Sequence, residues 1–65
     1  MNMQTEYVIR GRRVGSIGVM QDIIVLRATG SQHALERAQR LYEAGWEHLQ
    51  PFAVSANYRP DLERA

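Results

Sequence analysis

Ser16, Ser31, Ser55, His33, His48 and Asp22 supply the atoms of a nucleophile–base–acid set. Such a set works only when nucleophile and base come within hydrogen-bonding reach and a third group orients the base. No serine here stands in a recognisable nucleophile turn. His33 falls in the first turn of an expected helix and His48 on an expected strand, where a histidine reads as a solvated polar group. Metal chemistry fares no better: there is no cysteine and no pair of histidines at ligand spacing. Gly11, Gly15 and Gly18 lie near arginines, yet they match no phosphate-binding glycine pattern and no helix directly follows them, so they read as turn glycines. A chain of 65 residues also has little volume with which to enclose a water-excluding pocket. The expectation is a protein with no enzymatic activity, no cofactor and no metal.

Binding chemistry is better represented. Every basic side chain is arginine, eight against seven carboxylates, for a net charge of +1. Base composition of the gene produces the same bias, but arginine is also the residue suited to bidentate pairing and stacking. Arg10, Arg12, Arg13 and Arg27 make the first thirty residues net positive, whereas residues 31–65 are slightly negative. On a strand Arg10 and Arg12 point the same way, with Arg13 opposite or displaced by the turn, and Arg27 can join them from a neighbouring strand. In a dimer this patch is duplicated and could track a nucleic-acid backbone. The low net charge and the lack of an RNP, KH or helix-turn-helix signature favour contact with a protein instead. Trp46 has two readings, a cap on the helix–sheet core or a partly exposed contact at an interface.

The elements that would position these residues follow from periodicity. Met3 to Arg13 reads as a first strand, with Thr5, Tyr7 and Ile9 alternating with Glu6, Val8 and Arg10. Val14 to Gly18 turns the chain, and Asp22 to Thr29 forms the second strand. Ser31 is the expected N-cap of a helix over 32–44, in which Ala34, Leu35, Ala38, Leu41 and Tyr42 form one apolar stripe. Gly45 stops it. A third strand begins at Trp46, is interrupted by Pro51, and is followed by FAVSANY, which extends it or packs as a short fourth strand. The tail 59–65 is expected to fray. The predicted fold is α+β: one small β-β-α-β domain spanning 1–65, an antiparallel hairpin packed on one helix. A right-handed crossover sets the third strand antiparallel beside the first.

One element breaks the pattern. Ile23-Ile24-Val25-Leu26 is apolar throughout, so alternation sends Ile24 and Leu26 to the core and Ile23 and Val25 to the other side, where Val8 extends the patch. A single helix covers only one face. The folded chain is expected to bury only about 60% of its unfolded surface, and without disulfides or metal a partner subunit is the remaining stabiliser. Val8, Ile23 and Val25 are therefore the expected interface of a homo-oligomer, a dimer first.

The start EYVIR, the loose hairpin and the helix ending in Leu41-Tyr-Glu-Ala-Gly-Trp-Glu-His-Leu49 resemble small bacterial and phage domains of the DUF4177 type. In that resemblance Tyr7 matches the first-strand aromatic, Leu41 the helix anchor, and Gly45, Trp46 and Glu47 the G-W-E turn. His48 replaces a usually apolar residue and Pro51 is a further departure. The resemblance implies a fold and, since that family has no assigned activity, no reaction. No apolar run reaches membrane-spanning length and MNMQTEY lacks the features of a signal peptide, so a cytoplasmic setting without membrane contact is expected. The functional expectation is a small oligomeric interaction protein, an accessory or inhibitory factor that occupies another protein's surface. A nucleic-acid-binding dimer is the alternative.

Overall fold

Alternation around Tyr7 and Ile9 produces β1 (Thr5–Arg13), whose Tyr7 and Ile9 side chains join the core while Val8 lies on the opposite face. In the computed structural model, which describes residues 3–55 and 61–65, β1 is the centre of the sheet. It pairs antiparallel with β2 (Gln21–Ala28), setting Tyr7 opposite Leu26, Val8 opposite Val25 and Ile9 opposite Ile24. On its other side β1 pairs antiparallel with β3 (Trp46–Ala53), the arrangement that the crossover argument requires. A two-residue strand, β4 (Glu63–Arg64), runs parallel along the outer edge of β2, giving the order β3-β1-β2-β4. The protein is a small α+β domain.

Helices α1 (Ser31–Arg37) and α2 (Arg40–Glu43) cover one face. Ala34, Ala38 and Leu41 from the stripe meet Ile9, Ile24, Leu26 and Ala28 from the hairpin and Leu49 from β3, with Leu35 and Trp46 at the margin. Tyr42, expected in the stripe, is exposed. The reason is a break at residues 38–39. Leu41 N–H bonds to the Ala38 carbonyl and Tyr42 N–H to that of Gln39, so the chain tightens to three-residue spacing and rotates Tyr42 away from the sheet. The single helix expected over 32–44 is therefore two short ones.

Its start also differs. Ser31 is the first helical residue and Gly30 occupies the cap position without a side-chain bond. The entry is fixed from the other direction, by Thr29 N–H donating to His33 Nδ1 at 3.0 Å. Gly45, at φ +97°, ends the helical segment as expected. Pro51 does not interrupt β3. It pairs with Ile9 from an edge strand, where its missing N–H leaves no ladder bond unmade. Phe52 and Ala53 extend the strand, whereas Tyr58 lies outside the described residues. Glu63 and Arg64, placed in a fraying tail by sequence, are held by β2, and Ala65 N–H bonds to the Val25 carbonyl.

Two bulges flank the middle of β1. On β2 the pairing passes from Ile24 opposite Ile9 to Asp22 opposite Arg10, leaving Ile23 as an extra residue. On β3 it passes from Gln50 opposite Arg10 to Glu47 opposite Arg12, again with one residue in excess. Within that second bulge His48 takes φ +56°, a left-handed conformation that a residue with a Cβ adopts at a cost. Between the bulges sits Gly11. A Cβ there would meet Leu49 Cδ2 at 2.8 Å, the Glu47 carbonyl at 3.0 Å and Ile23 Cδ1 at 3.0 Å. Gly11 is thus a close-packing glycine inside a strand, not the turn glycine its neighbours suggested.

Candidate interaction surface

Three of the four arginines expected to form an open patch, Arg10, Arg12 and Arg13, are engaged by the protein itself. Arg10 Nε lies 2.7 Å from Asp22 Oδ1 on β2, and its guanidinium stands 5.8 Å from the Phe52 ring on β3. That one side chain therefore reaches partners on both neighbours of β1. Arg64 pairs with Glu6 and so reaches across β2 to β1. Arg12 Nε approaches Glu47 Oε1 at 3.4 Å without the alignment of a hydrogen bond. Arg13 stacks on Trp46 at 4.6 Å. Of the four arginines in the expected patch, Arg13 and Arg27 have no carboxylate partner among the described residues.

This arrangement changes the face opposite the helices. Val8 is 5% and Val25 1% exposed although neither belongs to the helix-side core. The aliphatic stems of Arg10 and Arg64 lie on this face, where a long cationic side chain can cover apolar surface while its head group stays wet. Ile23 does not face this side at all. The bulge gives it the same direction as Ile24, and it packs half-buried against the helix-side cluster. The outward patch of Val8, Ile23 and Val25 expected from alternation is thus dissolved: two members are covered within the single chain and the third points inward.

Exposed apolar surface is found instead in the β1–β2 loop, residues 14–20. Val14 and Val19 are largely exposed and Ile17 is fully exposed. The loop is tied by its own hydrogen bonds: Val14 N–H to the Gly45 carbonyl, Ser16 N–H to that of Arg13, and Gly18 N–H to Ser16 Oγ at 2.9 Å. Gly15, at φ +82°, makes the turn. The accessible surface of 4759 Å² exceeds the roughly 4,200 Å² of a compact monomer of this mass, and the 40 × 24 × 15 Å extents show an elongated body.

A shallow cleft of about 330 Å³ opens on the same face as Val8. Val8, Phe52, Ala53 and Val54 give it apolar walls, and the Arg10–Asp22 pair and Ser55 complete it. Phe52 is 47% exposed, the largest apolar side chain presented on this side of the sheet.

The chain matches no family model, no curated protein and no solved structure.

The atoms of the nucleophile–base–acid set are spread over separate elements. Ser16 Oγ accepts the Gly18 amide in the loop, His33 Nδ1 accepts the Thr29 amide at the start of α1, and Asp22 pairs with Arg10. His48 stands 3.7 Å from Glu47 with its side chain largely exposed. Trp46 is half-buried against the core, as its reading as a cap on the helix–sheet core requires, and carries Arg13 on its ring. No described helix is long and apolar enough to cross a membrane. Sequence reasoning passed over the cleft and the aliphatic content of the loop. Val14, Ile17 and Val19 stand among glycines and serine, and the turn signal concealed them.

Proposed function

We propose that this protein is a non-enzymatic interaction module that acts by occupying the surface of another protein, and that the β1–β2 loop is its contact element. The observation behind this reading is the exposure of Val14, Ile17 and Val19 on a loop ordered by its own hydrogen bonds. Isolated surface aliphatics need no explanation, but three exposed on one short loop concentrate apolar surface at one end of the hairpin. Because the backbone is already tied, little conformational entropy is lost when the tip enters a pocket. Arg13, next to the loop and free of a carboxylate partner among the described residues, supplies a cation at the edge of the contact. A cysteine-free chain suits the reducing cytoplasm, which is the setting this reading assumes.

The nucleic-acid alternative requires arginines free to meet phosphates. Arg10 and Arg12 stand beside Asp22 and Glu47, so a backbone contact would first have to separate those pairs. Affinity capture with the wild-type chain and with Ile17→Asp, each with and without nuclease, tests the proposal. The expected result is a protein retained by wild type, lost with Ile17→Asp and indifferent to nuclease. Retention that disappears with nuclease, or that survives Ile17→Asp, overturns it.

A further inference from the structure

The molecule carries both an apolar plug and an apolar socket, and within one chain they do not meet. Ile17 is fully exposed, while the cleft beside Val8 and Phe52 is open. The cleft volume of about 330 Å³ equals roughly ten waters at ~30 Å³ each, ample for a branched aliphatic side chain. Its walls are apolar on the Phe52 side, and the Arg10–Asp22 pair also lines it. Plug and socket therefore complement each other in size and polarity.

We infer that the first acceptor of the loop is a second copy of this chain: in a two-fold dimer each Ile17 enters the other copy's cleft between Val8 and Phe52. This rests on reading the loop as the contact element. The loop closes the β1–β2 hairpin and the cleft lies between that hairpin and the end of β3, so two copies laid antiparallel with their open faces together exchange loops reciprocally, and the contact closes without leaving a free end. The broad side of the molecule, 40 × 24 Å, is comparable with the about 800 Å² that each partner gives to a standard interface. The same geometry brings Arg12 and Glu47 of one copy near those of the other, where the loose pair within each chain can be exchanged for pairs across the axis. A dimer built this way hides both tips, so an external partner has to compete with self-association.

Cysteine cross-linking tests the geometry directly, because the chain has no cysteine of its own. Ile17→Cys and Val54→Cys are prepared separately, mixed and mildly oxidised. Ile17 is exposed, and Val54 lines the cleft just past the end of β3 outside the helix-side core, so neither change disturbs that core. The expected product is the mixed disulfide, formed about tenfold faster than either symmetric one, since only a reciprocal contact brings these two positions to within the ~4.4–6.8 Å that a disulfide needs. Sedimentation equilibrium should show a wild-type dimer whose dissociation constant rises about 10- to 100-fold in Ile17→Asp and likewise in Phe52→Asp. A wild-type chain that stays monomeric at about 100 μM overturns the inference, as does a dimer that cross-links only Ile17→Cys to itself. The reading of the loop as a contact element stands or falls separately, on whether Ile17→Asp loses a captured protein.

Discussion

Ile9 and Ile17 belong to the same hairpin and occupy opposite extremes of it. Ile9 is fully enclosed between the helices and the neighbouring strands, and Ile17 is fully exposed at the turn. At the first position the sheet, two short helices and Leu49 share one core of modest size, built partly from three buried alanines. At the second position the backbone is ordered but the side chain rests on nothing. The hairpin thus differs along its length, with one end enclosed in the core and the other, in the function proposed above, left for contact. The same difference separates the arginines: Arg10 and Arg64 pair with Asp22 and Glu6 within the sheet, whereas Arg13 next to the loop has the Trp46 ring to stack on.

The most damaging way to break the comparison is to attack the enclosed end. Ile9→Ala should destabilise the fold by about 2–5 kcal/mol, the cost of a truncated core aliphatic and the cavity it leaves. A chain of this size has a total stability of only about 3–10 kcal/mol. Urea denaturation followed by far-ultraviolet circular dichroism should therefore show a large loss of midpoint or a chain already partly unfolded. A shift below about 1 kcal/mol would mean that the helix-side core is loosely packed.

Next in size is Gly11→Val. Even a Cβ at this position meets the Leu49 and Ile23 side chains and the backbone carbonyl of Glu47, and the carbonyl cannot rotate out of the way. An overpacking cost of about 1–3 kcal/mol is expected, read as the same shift in urea midpoint. Gly18→Val should cost less, since a Cβ at Gly18 approaches only the Ser16 hydroxyl in the exposed loop. Equal losses at the two positions would show that Gly11 is not held by close packing.

These positions also mark how much was legible from sequence. The alternation of β1, the Ala34–Ala38–Leu41 stripe, Gly45 and the antiparallel placement of β3 beside β1 were all readable, because each follows from local periodicity or chain connectivity. The two bulges were not. A bulge is set by how one strand registers against its neighbour, so nothing within Ile23–Leu26 announces that Ile23 turns to the same side as Ile24. That single shift takes Ile23 out of the expected patch, while Val8 and Val25 keep the expected face but are buried on it. Gly11 was misjudged for the same reason, since its function lies in contacts from Leu49 and Ile23 that are remote in sequence. The break between α1 and α2 and the docking of Glu63–Arg64 on β2 are likewise tertiary outcomes that outweigh local preference. For the contact site, sequence identified the arginines but not that their partners would be internal.

A smaller effect of opposite sign is expected at His48. Its φ of +56° costs a residue with a Cβ roughly 1–2 kcal/mol, which glycine does not incur. Glycine returns part of that gain through the freedom of the unfolded chain, about 0.4–1 kcal/mol. His48→Gly should therefore raise stability by about 0.5–1 kcal/mol, and its exposed imidazole has only the 3.7 Å approach to Glu47 to lose. A destabilised variant would show that this approach, or an interaction with a partner, holds the bulge in place.

The smallest expected change in stability is at Ile17, and it sharpens the comparison most. Ile17→Ser removes an aliphatic side chain as Ile9→Ala does, yet at a site with no enclosure to lose. The backbone bonds that order the loop run from Val14 to Gly45, from Ser16 to Arg13 and from Gly18 to Ser16, and none uses the Ile17 side chain. Surface substitutions away from special features fall within about 0.5 kcal/mol. At a protein concentration low enough to keep the chain monomeric, the urea midpoint of Ile17→Ser should match wild type within that margin. As concentration rises the two should separate, because association adds stability only to the form that can still insert its loop. Parallel curves at every concentration would leave Ile17 as bare surface. A midpoint gap that widens with concentration would tie the exposed isoleucine to contact rather than to folding.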